Sequence, residues 1–211
     1  MIRFLPRFVI LVFSIVFHEV AHGRVALWRG DTTARDAGRL TLNPLPHIDL
    51  FGTILFPLFL ILTRSPFLFG WAKPVPVNPS LFGKFKKDLA LVGASGPASN
   101  LALAAVLGML FRFTAPAMGA QHALIQALYF GVMINLVLAF FNLMPIPPLD
   151  GSRIAAAFMP DDLAESYLNM GRYGFFIILL LFFLGVFQRI LFPLVAWFMK
   201  LIIGPVSGGH L

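Results

Sequence analysis

Two histidines and a glutamate interrupt the first long apolar run of the chain. His18, Glu19 and His22 form the pattern His-Glu-x-x-His within residues 8–28, which read FVILVFSIVFHEVAHGRVALW. On a helix, two histidines four positions apart share one face, so both rings can reach a single metal ion. Glu19 lies beside His18, where its carboxylate can take a proton from a water molecule held by that metal. The pattern therefore indicates metal-assisted hydrolysis.

The surroundings of this motif are apolar. No charged residue lies between Phe8 and Phe17, and the helix continues past the motif to Ala26, Leu27 and Trp28. A helix of about 20 such residues spans the hydrocarbon core of a bilayer, where ionisable residues are costly and mark function by default. An amphipathic surface helix with these residues in solvent is the alternative, but its polar face would be only one turn long. We therefore expect a metal site inside a membrane.

The composition predicts an all-α polytopic membrane protein. The 211 residues are 59% hydrophobic and 12% charged, with a mean hydropathy of +0.87, whereas soluble domains are about 25% charged. We expect about five to six transmembrane helices in a single integral-membrane domain over residues 1–211, with no nucleic-acid partner. The net charge of +7 fits basic cytoplasmic loops that meet anionic lipid. The chain has no cysteine, so metal ligands must come from histidine, aspartate and glutamate.

The region after the first span, which we interpret as uncleaved, lacks a regular pattern. A polar loop ends in a short β-like stretch at residues 40–42. Residues 53–69 are apolar but broken by prolines and Arg64, which leaves open a span, a helical hairpin or a re-entrant segment. The alternating prolines of residues 70–79 predict an extended or edge segment.

The second half of the chain contains two clear spans, at residues 89–113 and 123–143. A polar loop is predicted at 160–172. Two apolar runs follow, which form either one long bent helix or a hairpin. A C-terminal helical hairpin at about 173–203 with Arg189 at its tip is favoured, because an unpaired arginine at mid-bilayer is costly.

The distribution of basic residues predicts an orientation. If the first span runs from outside to inside, and residues 51–70 re-enter the membrane or form a hairpin, Asp150 at the end of the third clear span reaches the same face as His18 and His22. Most lysines and arginines then lie in the cytoplasm, as the positive-inside rule requires. The residues assigned inside are Arg29, Arg35, Arg39, Lys73, Lys84, Lys86, Lys87, Arg153, Arg172 and Lys200, and those assigned outside are Arg3, Arg7, Arg112 and Arg189.

A third metal ligand is needed, because catalytic zinc keeps three protein ligands and one open position. The candidates at a similar membrane depth are Asp150, His47, Asp49 and Asp88. Asp150 is favoured because the prolines and glycine of MPIPPLDG hold its backbone rigidly at a helix end. Physical reasoning alone leaves all four candidates open.

Three motifs together resemble a known family. F-H-E-V-A-H in the first span, G-P-A-S-N at 96–100 and F-N-L-M-P-I-P-P-L-D-G at 141–151 resemble the site-2 protease family of intramembrane zinc metalloproteases. The match is closest to the compact bacterial and archaeal members that lack PDZ or CBS domains. The resemblance covers about residues 10–155, so we expect a motif-bearing core at about 8–155.

The resemblance implies roles for particular residues. It implies one zinc ion per chain held by His18, His22 and Asp150. It also implies that Glu19 is the general base, and that Asn142 positions the substrate or helps to stabilise the oxyanion. In the family, the motif that contains Gly96 and Asn100 lies near the active site; the alternative for Asn100 is a simple hydrogen bond between helices.

The implied function is hydrolysis of peptide bonds in or near transmembrane segments. The expected partners are transmembrane or membrane-anchored protein substrates and the lipid bilayer of the cell membrane, with the active site toward the cytoplasmic side. The competing class is a non-proteolytic membrane metal-binding protein, either a transporter or a regulatory pseudo-protease. A pseudo-protease is expected to have lost Glu19 or a ligand, and a transporter would distribute polar residues along its spans. The substrate and the oligomeric state stay open.

Overall fold

A computed structural model describes residues 4–63 and 72–204, and within them the chain forms helices and no β-strand. Short 3-10 or π turns at 45–47, 50–55, 79–81, 170–173 and 187–191 join or extend the α-helices. The α-helices are α1 (Phe4–Trp28), α2 (Thr33–Asp36), α3 (Phe56–Leu62), α4 (Phe85–Met118), α5 (Ala123–Asn142), α6 (Asp150–Ala156), α7 (Asp161–Asn169), α8 (Gly174–Phe183) and α9 (Phe192–Ile203).

Four helical segments of the described chain are long and apolar enough to cross a membrane: Pro6–Trp28, Phe85–Met118, Ala123–Asn142 and Asp161–Phe183. The all-α polytopic prediction is confirmed, but the expected five to six spans become four. The helical run 50–62 is too short, since at about 1.5 Å per residue it rises about 20 Å against a hydrocarbon core of about 30 Å. The rest of that predicted element, 64–69 with Arg64, lies outside the described residues.

The predicted β-like stretch at 40–42 is wrong. The backbone there turns back on local side chains: the N–H of Asn43 donates to Thr41 Oγ1, and the N–H of Leu45 donates to Asn43 Oδ1. Such side chains compete with strand pairing by offering the backbone nearby partners. Residues 72–78, in contrast, form no helix, turn or bend, and the backbone of Asn78 is extended.

The polar stretch 160–172 is helical and not a loop. Helix α7 and the turn at 170–173 lead directly into α8. Two acidic residues, Asp161 and Asp162, occupy the first turn of α7, where they stabilise the positive end of the helix dipole. Hydropathy alone misses a helix of this kind because most of its residues are polar.

The C-terminal helices break at Gly185, whose φ of +73° is one that residues with a side chain rarely adopt. The break therefore precedes Arg189, which lies within the following helical turn and not at a tip. The Phe187 ring lies 5.8 Å from that of Phe141 at the end of α5, and Arg112 donates to Leu201 O. The segment 187–203 thus runs away from the end of the bundle where α5 finishes.

This direction corrects two of the sequence-based assignments. Lys200 precedes Leu201 and lies beside Arg112, at the end that was assigned outside. Arg189 lies near the opposite end, where α5 leads to Asp150. The two residues exchange sides, so the charge asymmetry between the faces is unchanged.

Helix α4 lies at the centre of the fold, against α1, α5, α6 and α9. It therefore carries residues 92–100 between α1 on one side and α5 with α6 on the other. Away from this region, α4, α5 and the 187–203 segment share an apolar core. Its buried members are Ala104, Phe111, Ile125, Leu128, Val132, Leu136, Phe187, Leu191, Val195, Met199 and Ile203.

Candidate metal centre

His18, His22 and Asp150 meet where α1 faces the start of α6. The two Nε2 atoms lie 3.0 Å apart, and each lies 3.1 Å from Asp150 Oδ2. All three residues are buried, with 6%, 5% and 7% of their surface exposed. Within residues 4–63 and 72–204 this is the one cluster of histidines and acidic residues that could hold a metal ion.

The other ring nitrogens show which atoms are free to bind. His22 Nδ1 donates to the backbone oxygen of Val92 (2.7 Å), and His18 Nδ1 donates to Asn100 Oδ1 (2.6 Å). A neutral imidazole that carries its proton on Nδ1 has a lone pair on Nε2. The cluster therefore brings two lone pairs and a carboxylate oxygen together.

Three electron-rich atoms so close would repel one another unless a cation lay among them. Ligands at 2.0–2.1 Å from a tetrahedral zinc ion lie about 3.3 Å apart, close to the 3.0–3.1 Å separations observed. Two imidazoles and one carboxylate are also a donor set typical of catalytic zinc. The residues therefore fit zinc.

Gly96 allows α4 to approach the histidines. A Cβ atom at this position would lie 2.5 Å from His22 Nε2 and 2.6 Å from His18 Nε2, closer than real side chains allow. Any larger residue would displace the rings. This close approach gives a physical reason for the glycine in the G-P-A-S-N motif.

Asp150 is the first residue of α6 and is fixed by its neighbours. Arg153 Nη1 lies 3.4 Å from Asp150 Oδ1, on the oxygen that does not face the histidines. The preceding loop is held by the Tyr167 hydroxyl, which donates to Pro145 O (2.6 Å), and by a turn from Leu149 N to Ile146 O (2.8 Å). The carboxylate thus presents Oδ2 to the cluster.

Glu19 is half-buried next to the cluster and is held by a proline-rich segment, which we define as residues 72–78. Its Oε2 accepts the backbone N–H of Val75 at 2.8 Å. Val75 stands between Pro74 and Pro76, which have no N–H to donate. One carboxylate oxygen is therefore held by a main-chain donor.

The proline-rich segment is itself anchored by buried polar residues. Arg39 Nη2 donates to Lys73 O (2.8 Å), and the N–H of Asn78 donates to Asp31 Oδ2 (2.7 Å). Arg39 and Asp31 are 7% and 0% exposed, so both anchors belong to the folded interior. The position of the Val75 N–H is consequently set by the loop that follows α1.

The three other candidate ligands lie elsewhere. His47 is buried with Nε2 at 3.0 Å from the backbone oxygen of Thr41. Asp49 accepts a backbone N–H of the helical turn that follows it (2.6 Å). Asp88 pairs with Arg29 at 2.6 Å. Each has a local structural partner, and none joins the cluster.

Asn142 lies at the end of α5, where its Nδ2 donates to Leu138 O (2.9 Å) in its own helix. Nothing in this contact tests the catalytic role that the resemblance implies, which stays a prediction.

Three residues near the cluster had no role there predicted from the sequence: Val75, Ser14 and Asn135. Ser14 lies four positions before His18, on the same helix face, and Asn135 is a polar residue in an apolar span. Both signals mark polar groups where the bilayer disfavours them. The role of Val75 depends on a contact across 56 positions and has no local signal.

Comparisons with known proteins place the chain in a family. The family model described as peptidase family M50 matches residues 114–182. The chain is 40% identical over 190 residues to the provisionally named zinc metalloprotease YwhC of Bacillus subtilis (strain 168), covering 87% of this chain and 83% of that relative. The chain belongs to peptidase family M50. These are the site-2 proteases, so the resemblance is confirmed, and the M50 family is one of zinc metalloproteases.

Mycobacterial relatives agree with the M50 assignment. The provisionally named zinc metalloprotease Rip2 of Mycolicibacterium smegmatis is 31% identical over 187 residues, which is 88% of this chain and 69% of the relative. The similarly named Rip3 of Mycobacterium tuberculosis is 31% identical over 105 residues, 48% of this chain and 26% of the relative. No solved structure matches the chain.

Proposed function

We propose that this M50 protein is an intramembrane protease that holds one zinc ion through His18, His22 and Asp150. Its proposed reaction is hydrolysis of peptide bonds in or near transmembrane segments of other proteins. One observation carries the proposal: two imidazole lone pairs and a carboxylate oxygen converge within 3.1 Å. Two of the three residues lie on α1, which is long and apolar enough to cross a membrane.

The residues around the cluster supply the proton transfers. Zinc bound by such ligands contributes Lewis acidity, which polarises a carbonyl and lets water ionise near pH ~7. Glu19 takes the proton of the attacking water on Oε1, since Oε2 is held by Val75. The water oxygen then bonds to the peptide carbonyl carbon, the C–N bond breaks, and Glu19 delivers the proton to the leaving nitrogen. Asn142 is proposed to position the substrate or to stabilise the oxyanion.

The substrate has to present an unwound peptide bond. In a helix within lipid every backbone polar group is bonded internally, so a helical peptide bond is shielded from attack. The proline-rich segment contacts Glu19 through the Val75 N–H, and a substrate backbone that approaches Glu19 meets this segment too. We therefore propose a transmembrane or membrane-anchored protein substrate that enters in an extended form.

The site is proposed to lie toward the cytoplasmic side of the cell membrane. Support comes from the positive-inside rule, because basic residues concentrate at the end of the bundle that holds the cluster. That end carries Arg24, Arg29, Arg35, Arg39, Lys73, Lys84, Lys86, Lys87, Arg153, Arg172 and Arg189, and the opposite end carries Arg7, Arg112 and Lys200.

A comparison of the two glutamates of the chain tests the proposal. Glu19→Gln keeps the shape of the side chain but removes the base, while Glu165→Gln makes the same change at an exposed position on α7. Both variants and the wild type would be purified in detergent, assayed for zinc and incubated with a panel of single-span substrates. We expect about one zinc per chain in all three, and at least a 1,000-fold loss of cleavage for Glu19→Gln alone, which is about 4 kcal/mol.

The other results would each exclude a part of the proposal. Zinc in all three proteins with equal cleavage by Glu19→Gln would exclude Glu19 as the base. Zinc without cleavage by the wild type, across a broad panel, would favour the non-proteolytic metal-binding function. An absence of zinc in the wild type would exclude the metal centre itself.

A further inference from the structure

Three buried polar side chains lie beside the metal centre without a part in the proposed reaction. Ser14, Asn100 and Asn135 come from α1, α4 and α5, and each is 0% exposed. They form a connected set of hydrogen bonds that ends on His18. We call these three residues the relay.

The amide orientation of Asn135 follows from its fixed neighbours. Its Nδ2 lies 2.8 Å from Gly131 O and 2.8 Å from Ser14 Oγ. A backbone carbonyl only accepts hydrogen bonds, and the Ser14 hydroxyl already donates its one hydrogen to Ile10 O (2.8 Å). Asn135 must therefore donate to both, and its Oδ1 faces Asn100.

The orientation of Asn100 follows in turn. Its Nδ2 donates to Asn135 Oδ1 (2.8 Å), and it also lies 3.3 Å from the backbone oxygen of Ser14. The other end of the amide, Oδ1, then lies 2.6 Å from His18 Nδ1. Because Oδ1 only accepts, His18 must carry its proton on Nδ1 and its lone pair on Nε2.

We propose that Asn135 is a positioning residue for the metal centre, acting through Asn100 on His18. This inference rests on the metal centre of the proposed function. Without an acceptor at position 135, Asn100 Nδ2 keeps the longer 3.3 Å contact to the backbone oxygen of Ser14. This long contact holds the amide weakly, so the amide can reverse and turn Nδ2 toward His18. His18 Nδ1 must then accept, its proton moves to Nε2, and that nitrogen is blocked for metal binding. Partners of this kind are worth 10–100-fold in metal affinity.

Two substitutions with side chains of similar size distinguish an effect of the hydrogen bonds in the relay from an effect of packing. Asn135→Asp keeps an oxygen that accepts from Asn100, whether its carboxyl is protonated or ionised. Asn135→Leu fills the same space with no acceptor. Zinc affinity would be measured in detergent by competition with a chelator, and the ligand geometry by the visible spectrum of the cobalt-substituted protein. We expect the zinc affinity of Asn135→Leu to be about tenfold weaker than that of the wild type, and that of Asn135→Asp to lie within about threefold of it. The cobalt spectrum should change for Asn135→Leu alone.

A neighbouring position controls for general loss of stability. Leu136 is 0% exposed in the same helix and is not part of the relay, so Leu136→Ala should lower the unfolding temperature and leave zinc affinity unchanged. If Asn135→Leu fails to fold, Asn135→Ala compared with Leu136→Ala gives the same test.

A double-mutant cycle tests the route through Asn100. Asn100→Ala should weaken zinc binding by 10–100-fold, and Asn135→Leu should add nothing in that background, because its effect passes through Asn100. Additive losses would overturn the proposal, as would zinc binding by Asn135→Leu at the wild-type affinity. Wild-type protein that binds no zinc would instead overturn the metal centre, and the relay with it.

Discussion

The two histidines of the metal centre have the same chemistry but are held in different ways. His22 donates to a main-chain oxygen, that of Val92, within a turn of α4. His18 donates to a side chain, Asn100, which depends on further side chains of α1 and α5. A main-chain carbonyl cannot rotate or be removed by substitution, whereas an amide can reverse. The orientation of His18 is therefore the one that needs support.

This difference arises from the way α1 and α4 face each other. Ser14, His18 and His22 are spaced by four positions along α1, and Asn100, Gly96 and Val92 are spaced by four in the reverse order along α4. Residues at this spacing share a helix face, so two stripes meet side by side. Gly96 lies opposite both rings, where no side chain fits. Helix α4 therefore places the Asn100 amide against His18 and the Val92 carbonyl against His22.

The largest effect is expected from Gly96→Ala, which removes the difference between the histidines by displacing both. The new Cβ would lie 2.5–2.6 Å from the two Nε2 atoms, the positions that bind the metal. We expect zinc affinity to fall by more than 100-fold, or about 3 kcal/mol, in chelator competition. Gly83→Ala is the matched control, because a Cβ there meets no atom within 4 Å. Equal affinities for the two variants would show that the helices separate easily and that Gly96 is not needed.

Much of the fold follows from local sequence. The apolar runs at 8–28, 89–113 and 123–143 predicted α1, α4 and α5, because lipid requires a continuous helix of apolar residues. The stretch 160–172 was missed because it is helical but polar. The C-terminal break was misplaced because the charge of Arg189 was weighed above Gly185, whose positive φ decides where the helix ends.

The residues that form the metal centre could be predicted from the sequence, but the residues that hold them in place could not. Histidine spacing and an aspartate held by prolines pointed to His18, His22 and Asp150, and the structure brings these three together. The choice of Asp150 among the four candidates for the third ligand needed the fold, because the other three candidates are bonded to groups outside the cluster. Asn135 contacts Ser14 across 121 positions, and such a contact depends on helix packing that no local pattern specifies.

An intermediate effect is expected at Glu19, which is held by the main chain as His22 is. Val75→Pro deletes the N–H that bonds Glu19 Oε2, and proline suits the site because the residue before Pro76 is already restricted to β or polyproline backbone. A hydrogen bond to a charged group is worth about 1.5–3 kcal/mol, so we expect kcat to fall about tenfold or more with zinc content unchanged. Initial rates of cleavage of one single-span substrate would measure this. Val75→Ala keeps the N–H and controls for lost packing; an equal loss in both variants would assign the effect to packing.

The smallest effect is expected from Ser95→Ala. It removes a side chain that contacts His22, just as Asn100→Ala removes one that contacts His18. Ser95 Oγ lies 3.3 Å from His22 Nδ1, but it donates its hydrogen to Val92 O (2.6 Å), and that same oxygen holds the ring. Since Val92 O remains after the substitution, we expect zinc affinity within about twofold of wild type, against the 10–100-fold loss for Asn100→Ala. Chelator competition on both variants, side by side, measures the contrast. Comparable losses would mean that the carbonyl does not hold His22 alone, and that both histidines depend on side chains of α4.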